Sequence, residues 1–141
     1  AKENTERGAE AAAEHYLALL VYAWNTGDTQ PFADMSAPTS KFASDYIKDV
    51  NEQYANGWNY GMESNITYVL RVEPIESNGD DVPEGSILVK FRTETDDGTS
   101  CTRTRLQSTS TTYKSTVTFI MTWKDGGWKE VQGRTVGDDE D

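Results

Sequence analysis

The spacing of apolar residues changes once along this chain, and that single switch constrains the fold more than any other feature. Before Gly57 apolar positions recur every three or four residues; after Trp58 they recur every second residue. The first pattern predicts helices. Asn4 or Thr5 can cap a helix whose apolar stripe is Ala9, Ala12, Ala13, Tyr16, Leu17, Leu20, Ala23 and Trp24, with Gly27 as its stop. A turn at Asn25–Asp28 leads to a short helix capped by Thr29 or Gln30, with Pro31 in its first turn, ending near Met35. Thr39 or Ser40 then opens a third helix, with Phe42, Tyr46, Ile47, Val50 and Tyr54 on one face, which stops at Gly57.

The second pattern predicts strands. Ile66, Tyr68, Leu70 and Val72 alternate with Thr67, Val69 and Arg71. Ile87, Val89 and Phe91 alternate with Leu88, Lys90 and Arg92, and Val117, Phe119, Met121 and Trp123 with Thr118, Ile120 and Thr122. Asp125-Gly126 between Trp123 and Trp128 is a hairpin signal, leading to a fourth strand through Val131. The polar stretches Glu76–Gly85 and Asp96–Thr112 read as surface loops. Helices followed by consecutive strands give an α+β architecture with N-terminal helices packed on a curved antiparallel sheet, and Val117, Phe119, Met121 and Trp123 are expected to meet the first helix. Residues 1–4 read as a linker or expression remnant, 5–136 as one domain and 137–141 as an acidic mobile tail.

Composition narrows the function classes. A domain of 141 residues buries roughly two-thirds of its unfolded surface without staples. Four Trp, seven Tyr and four Phe can build its core from few positions. Twenty-four acidic residues against thirteen basic ones give a net charge of -11, which repels a phosphate backbone and excludes nucleic acid as a partner. The basic residues look scattered, with Arg103 and Arg105 in a solvated loop. The single cysteine, Cys101, cannot form an intrachain disulfide and reads as an incidental thiol; no Cys/His spacing suggests a metal, and no cofactor motif is present. No apolar run approaches the roughly 18–20 residues of a membrane span. Ala1 is not an initiator residue, so the expectation is a processed chain, or one from which an N-terminal export segment has been removed.

A long amphipathic helix, a short one, a third ending in glycine, and a sheet closing in Trp123-Lys124-Asp125-Gly126-Gly127-Trp128-Lys129 is an order similar to that of nuclear-transport-factor-2-like (NTF2-like) domains, over Thr5 to Gly133. The opening, with Gly8-Ala9-Glu10-Ala11, Tyr16, Tyr22-Ala23, Thr26-Gly27-Asp28-Thr29 and Phe32, resembles a family of actinobacterial cell-envelope lipoproteins of unknown function. In that family the segment after the short helix often carries a cysteine pair; here it reads Ser36-Ala37-Pro38-Thr39-Ser40. The resemblance implies a domain outside the cytoplasm, anchored to the cell envelope or secreted, that touches the membrane only through a removed N-terminal anchor. It implies no activity.

Enzymes of this fold work inside the cone, between first helix and concave sheet. The only histidine, His15, falls on the border of the apolar stripe and reads as a surface residue; Glu63 and Glu73 turn inward only if a bulge shifts the register. Asp45 and Asp49 read as a solvated face. What remains is an aromatic cone lining of Tyr16, Leu20, Trp24, Phe91, Phe119, Met121 and Trp123, either core alone or a site for a small apolar ligand. The readings are therefore a non-enzymatic module that binds such a ligand or a partner protein, with exposed aromatics around Trp58 and Tyr60 marking the latter, or a small enzyme of the polyketide-cyclase or ketosteroid-isomerase type. Val69, Leu88 and Ile120, apolar on an otherwise polar sheet face, mark a homodimer surface in either case.

Overall fold

The computed structural model describes residues 3–77, 82–102, 105–108 and 112–137. Its first helix, α1 (Glu6–Thr26), begins where Thr5 accepts the Gly8 amide at 3.0 Å and ends at Gly27, whose amide returns to the Ala23 carbonyl. The buried stripe is Gly8, Ala9, Ala12, Ala13, Tyr16, Leu17, Leu20 and Ala23. Four alanines in that stripe let the helix axis lie close to the sheet, so Tyr16 reaches deep between the layers. α2 (Gln30–Asp34) is a single turn that buries Phe32, and α3 (Lys41–Asn56) starts at Ser40, whose side chain accepts the Ala43 amide at 3.1 Å. Among the described residues no helix is long and apolar enough to cross a membrane.

The α+β order is as the sequence predicts, but the described residues form seven strands instead of four. β1 (Gly57–Tyr60), β4 (Thr99–Thr102) and β5 (Arg105–Ser108) form a small antiparallel sheet in the order β1-β4-β5. β2 (Glu63–Pro74), β3 (Ile87–Asp96), β6 (Thr112–Lys124) and β7 (Gly127–Gly137) form the larger one in the order β2-β3-β6-β7. The described part of the expected loop from Asp96 to Thr112 thus holds β4 and β5, where the sequence offers no apolar alternation to read. Arg103 lies outside the described residues, as does the acidic tail beyond Gly137. Glu3 is not a loose linker residue, because its carbonyl accepts the Trp128 indole at 2.8 Å.

β2 departs furthest from its predicted alternation. Its register against β3 slips between Ile66 and Tyr68 and again between Val69 and Arg71, so Tyr68 and Leu70 stand 69% and 47% exposed instead of entering the core. The first slip also turns Val69 to the Phe91 side, toward α1, and away from Leu88 and Ile120. The expected apolar trio of the outer face does not form. In its place the register sets Arg71, Lys90, Thr118 and Arg134 on one rung, with Arg92 on the next beside Tyr68 and Thr116.

The core lies between α1 and the concave face of β3 and β6. Val89, Phe91, Val117, Phe119 and Met121 are buried there, with Tyr16 edge-on to Phe119 at 4.9 Å and stacked on Phe32 at 4.5 Å. Removing either phenylalanine ring to alanine costs about 3–5 kcal/mol at such a site. The segment joining α2 to α3 crosses the sheet edge and bonds to β7, with the Ala37 amide on the Glu130 carbonyl (2.7 Å) and the Glu130 amide on the Met35 carbonyl (2.9 Å).

Candidate functional site

Two groups of side chains have chemistry beyond packing: one sealed inside the cone, the other at its mouth. The sealed group centres on Glu130. The Asp125-Gly126 turn, both residues at positive φ, pairs Trp123 with Trp128, which puts Trp128 and then Glu130 on the concave side. Glu130 is wholly buried; Tyr16 Oη donates to its Oε1 at 3.1 Å and Ser40 Oγ to its Oε2 at 3.0 Å. Ser36 Oγ lies 2.6 Å from the Tyr16 hydroxyl and 2.8 Å from the Phe32 carbonyl. No cation adjoins this carboxylate among the described residues. Burial therefore holds Glu130 above the usual carboxylate range, although the Ser40 and Tyr16 hydrogen bonds pull it part of the way back. Burial, and next the Glu130 charge, keeps the Tyr16 phenol protonated far beyond its ordinary range.

The mouth is built where two chain segments bend together. β1 and β4 continue the β2–β3 ribbon past a break at Gly61-Met62 opposite Asp97-Gly98. Gly98 has a φ of 71°, and a Cβ there would stand 2.3 Å from the Tyr60 carbonyl oxygen, so only glycine lets the two bends touch. Asn25, at the end of α1, grips the other side: its amide donates to the Met62 carbonyl at 2.9 Å and accepts the Met62 amide at 3.0 Å. Tyr54 Oη donates to the Trp24 carbonyl at 2.7 Å and Tyr46 Oη to that of Leu20 at 2.9 Å, fixing α3 against α1. The result is a cavity of about 370 Å³ lined by Trp24, Tyr46, Met62, Asp97, Ser100 and Tyr113. That is near the lower end of ligand-pocket volumes. Burial raises Asp97 above its ordinary value, its hydrogen bond from Tyr113 lowers it again and Asp96 raises it; Tyr113 is raised by burial and then by the Asp97 charge.

The residues singled out in the sequence divide between these places. Tyr16, Phe91, Phe119 and Met121 have no exposed surface and Leu20 has 8%, so these five pack the cone instead of lining an opening. Trp123 packs edge-on to Trp128, 5.4 Å away, at the hairpin end. Of the seven, Trp24 alone lines the mouth cavity. His15, Glu63 and Glu73 are all exposed, while the inward carboxylate is Glu130. The Trp128–Glu130 spacing after a two-residue turn carried the signal for it. Nothing in the sequence joins Asp97 to Tyr113, which meet through the β3–β6 pairing. Among the described residues there is no cluster of potential metal ligands.

The model of a family of unknown function, DUF6318, matches residues 1–133. The chain belongs to the DUF6318 family. Comparison of this DUF6318 chain with curated proteins returns no match. Among solved structures it is similar to the intermembrane space region of the chloroplast protein ARC6, with a TM-score of 0.66, 13% identity, and 95% of this chain and 98% of the other covered. An NTF2-like protein from Rhodospirillum rubrum gives a TM-score of 0.52 at 17% identity, over 88% and 96% of the two chains. The β subunit of benzoate 1,2-dioxygenase from Burkholderia mallei gives 0.53 at 11% identity, over 92% and 90%. At such identities the likeness is one of fold, and this DUF6318 domain has the NTF2-like cone.

Proposed function

We propose that this is a non-enzymatic binding domain whose site is the cavity at the mouth of the cone, and that its ligand is a small, largely apolar molecule. The observation that carries the reading is the cavity's lining, in which Trp24, Tyr46, Met62 and Tyr113 surround one carboxylate and one hydroxyl. A cyclase or isomerase reading is weaker, since the inward carboxylate is sealed from solvent and its two oxygens are taken by Tyr16 and Ser40. The likeness of the opening segment to actinobacterial envelope lipoproteins supports a position outside the cytoplasm, on an N-terminal anchor. Fractionation and lipid labelling of the full precursor test that part; a cytoplasmic, unlabelled product rejects it.

The test of the binding function is native mass spectrometry of freshly purified protein beside its denatured mass. A small extra mass, lost on denaturation and lost from a Trp24→Ala variant that still folds, is the expected result. A mass retained by that variant refutes the assignment to the mouth.

A second reading has its own observation. Lys90, Arg92, Arg134 and Arg71, the last paired with Glu73 at 3.4 Å, share the outer sheet face of a chain whose net charge is -11, with Tyr68 69% exposed beside them. We infer an acidic protein surface as the partner of that face. A two-fold homodimer there would oppose like charges, so light scattering at rising salt separates the two: a dimer strengthened by salt favours self-association, whereas a monomer favours the acidic partner.

A further inference from the structure

The mouth cavity has an internal imbalance that bears on what it holds. Among the described residues, the side chains that line it include one carboxylate, Asp97, and no base. Asp97 is half-buried and shares the cavity lining with the Tyr113 phenol, with Asp96 as its charged neighbour. The same cavity is lined by Trp24 and Tyr46, their ring centroids 6.3 Å apart and tilted by 35°. The Tyr46 hydroxyl is committed to the Leu20 carbonyl, which leaves the ring itself as the available surface. Aromatic faces attract cations through their quadrupole, and a thioether such as Met62 is polarizable.

A neutral apolar ligand and a cationic one have opposite effects on this lining. The neutral molecule would strip water from Asp97 and return no charge, which makes a half-buried anion more costly. The cation would neutralise Asp97 and at the same time meet the ring faces. The chain's net charge of -11 also concentrates cations near the surface.

We propose that the mouth of the cone is a site for a small organic cation, an alkylated ammonium with an apolar body, held by Asp97 as counter-ion and by the Trp24, Tyr46 and Tyr113 rings. This inference rests on the mouth being the binding site.

The test uses a matched pair of probes: choline, and 3,3-dimethylbutan-1-ol, which has the same shape without the charge. Of the three methionines, Met62 lines the mouth, Met121 is buried in the core and Met35 lies at the α2–α3 connection, so methyl-labelled methionine gives a reporter for each place. The expected result is a saturable shift of the Met62 methyl signal, with choline binding at least tenfold more tightly than the alcohol. Asp97→Asn should abolish that preference, and Tyr113→Phe, which keeps the carboxylate, should retain it. Equal affinity for the two probes, with Met62 shifting, overturns the cation and leaves an apolar pocket standing. No shift of Met62 with either probe overturns the pocket as well. Should the Asp97 variant fail to fold, the probe comparison on the parent protein decides alone.

Discussion

Replacing Tyr16 by Phe isolates one oxygen in the sealed cluster. The ring keeps its stacking on Phe32 and Phe119, so packing is conserved and only the hydroxyl's bonds to Glu130 and Ser36 are lost. Ser36 retains the Phe32 carbonyl as acceptor, which leaves Glu130 Oε1 as the group that suffers. A hydrogen bond to a charged group is worth about 1.5–3 kcal/mol and one between neutral groups about 0.5–1.5 kcal/mol. The loss is therefore larger when Glu130 is ionised. Glu130 has a raised folded-state pKa, so the stability it confers is complete below its unfolded value and declines as pH rises through the folded one. Tyr16 opposes that decline, and the variant should show it more steeply. At roughly 3 °C per kcal/mol for a domain of this size, calorimetry should find the variant melting about 5–10 °C lower at pH 8 and about 2–5 °C lower in acid. Melting points within about 1 °C at both pH values, or a larger gap in acid, would refute the hydrogen-bond assignment.

Other perturbations probe the mouth and the outer face. Gly98→Ala combines a positive φ with a Cβ 2.3 Å from the Tyr60 carbonyl oxygen, and should lose about 2 kcal/mol or more in urea titration, with disturbance at Met62. Asn25→Ala removes both bonds to the Met62 backbone and should cost about 1–3 kcal/mol by the same assay, while leaving the melting of Tyr16→Phe variants additive. Choline affinity should hold above the folded pKa of Asp97 and fall as pH drops through it, at a pH higher than an ordinary aspartate would give; a pH-independent Kd would count against Asp97 as counter-ion. Arg71→Glu with Arg134→Glu should leave stability within about 0.5 kcal/mol and weaken any acidic partner retained on a column of the parent protein.

The helices were legible because their caps and stripes are local: Thr5, Gly27 and Ser40 act within four residues of the backbone groups they satisfy. The strands were legible only where alternation runs unbroken, as in Ile87–Phe91 and Val117–Met121. Two bulges in β2 break the phase after Ile66, and no residue type there announces them, so the alternation groups Tyr68 and Leu70 with Ile66 and Val72 and sets Val69 on the outer face. β1 and β4 escaped because ladder pairing, not apolar burial, holds them. Of the two states open to the aromatic cone lining, core or cavity, the sequence could not choose, since a Tyr or Phe gives the same period whether it packs a core or borders a cavity. The sealed Glu130 could have been found from the hairpin register. Asp97 and Tyr113 could not, because their meeting depends on the pairing of β3 with β6.

The segment between α2 and α3 that crosses to β7 also bears on how this molecule behaves among its own copies. A sheet invites growth wherever an edge strand offers a straight row of unpaired amides and carbonyls. Here one edge of the four-stranded sheet is occupied by Met35 and Ala37 at Glu130, and the other, β2, is interrupted by two bulges and finished by Pro74. At Glu130 and along β2 a neighbouring chain therefore meets no continuous template. The domain can thus expose Tyr68 and Leu70 on an edge strand whose two bulges and terminal proline make it a poor template for a neighbouring chain.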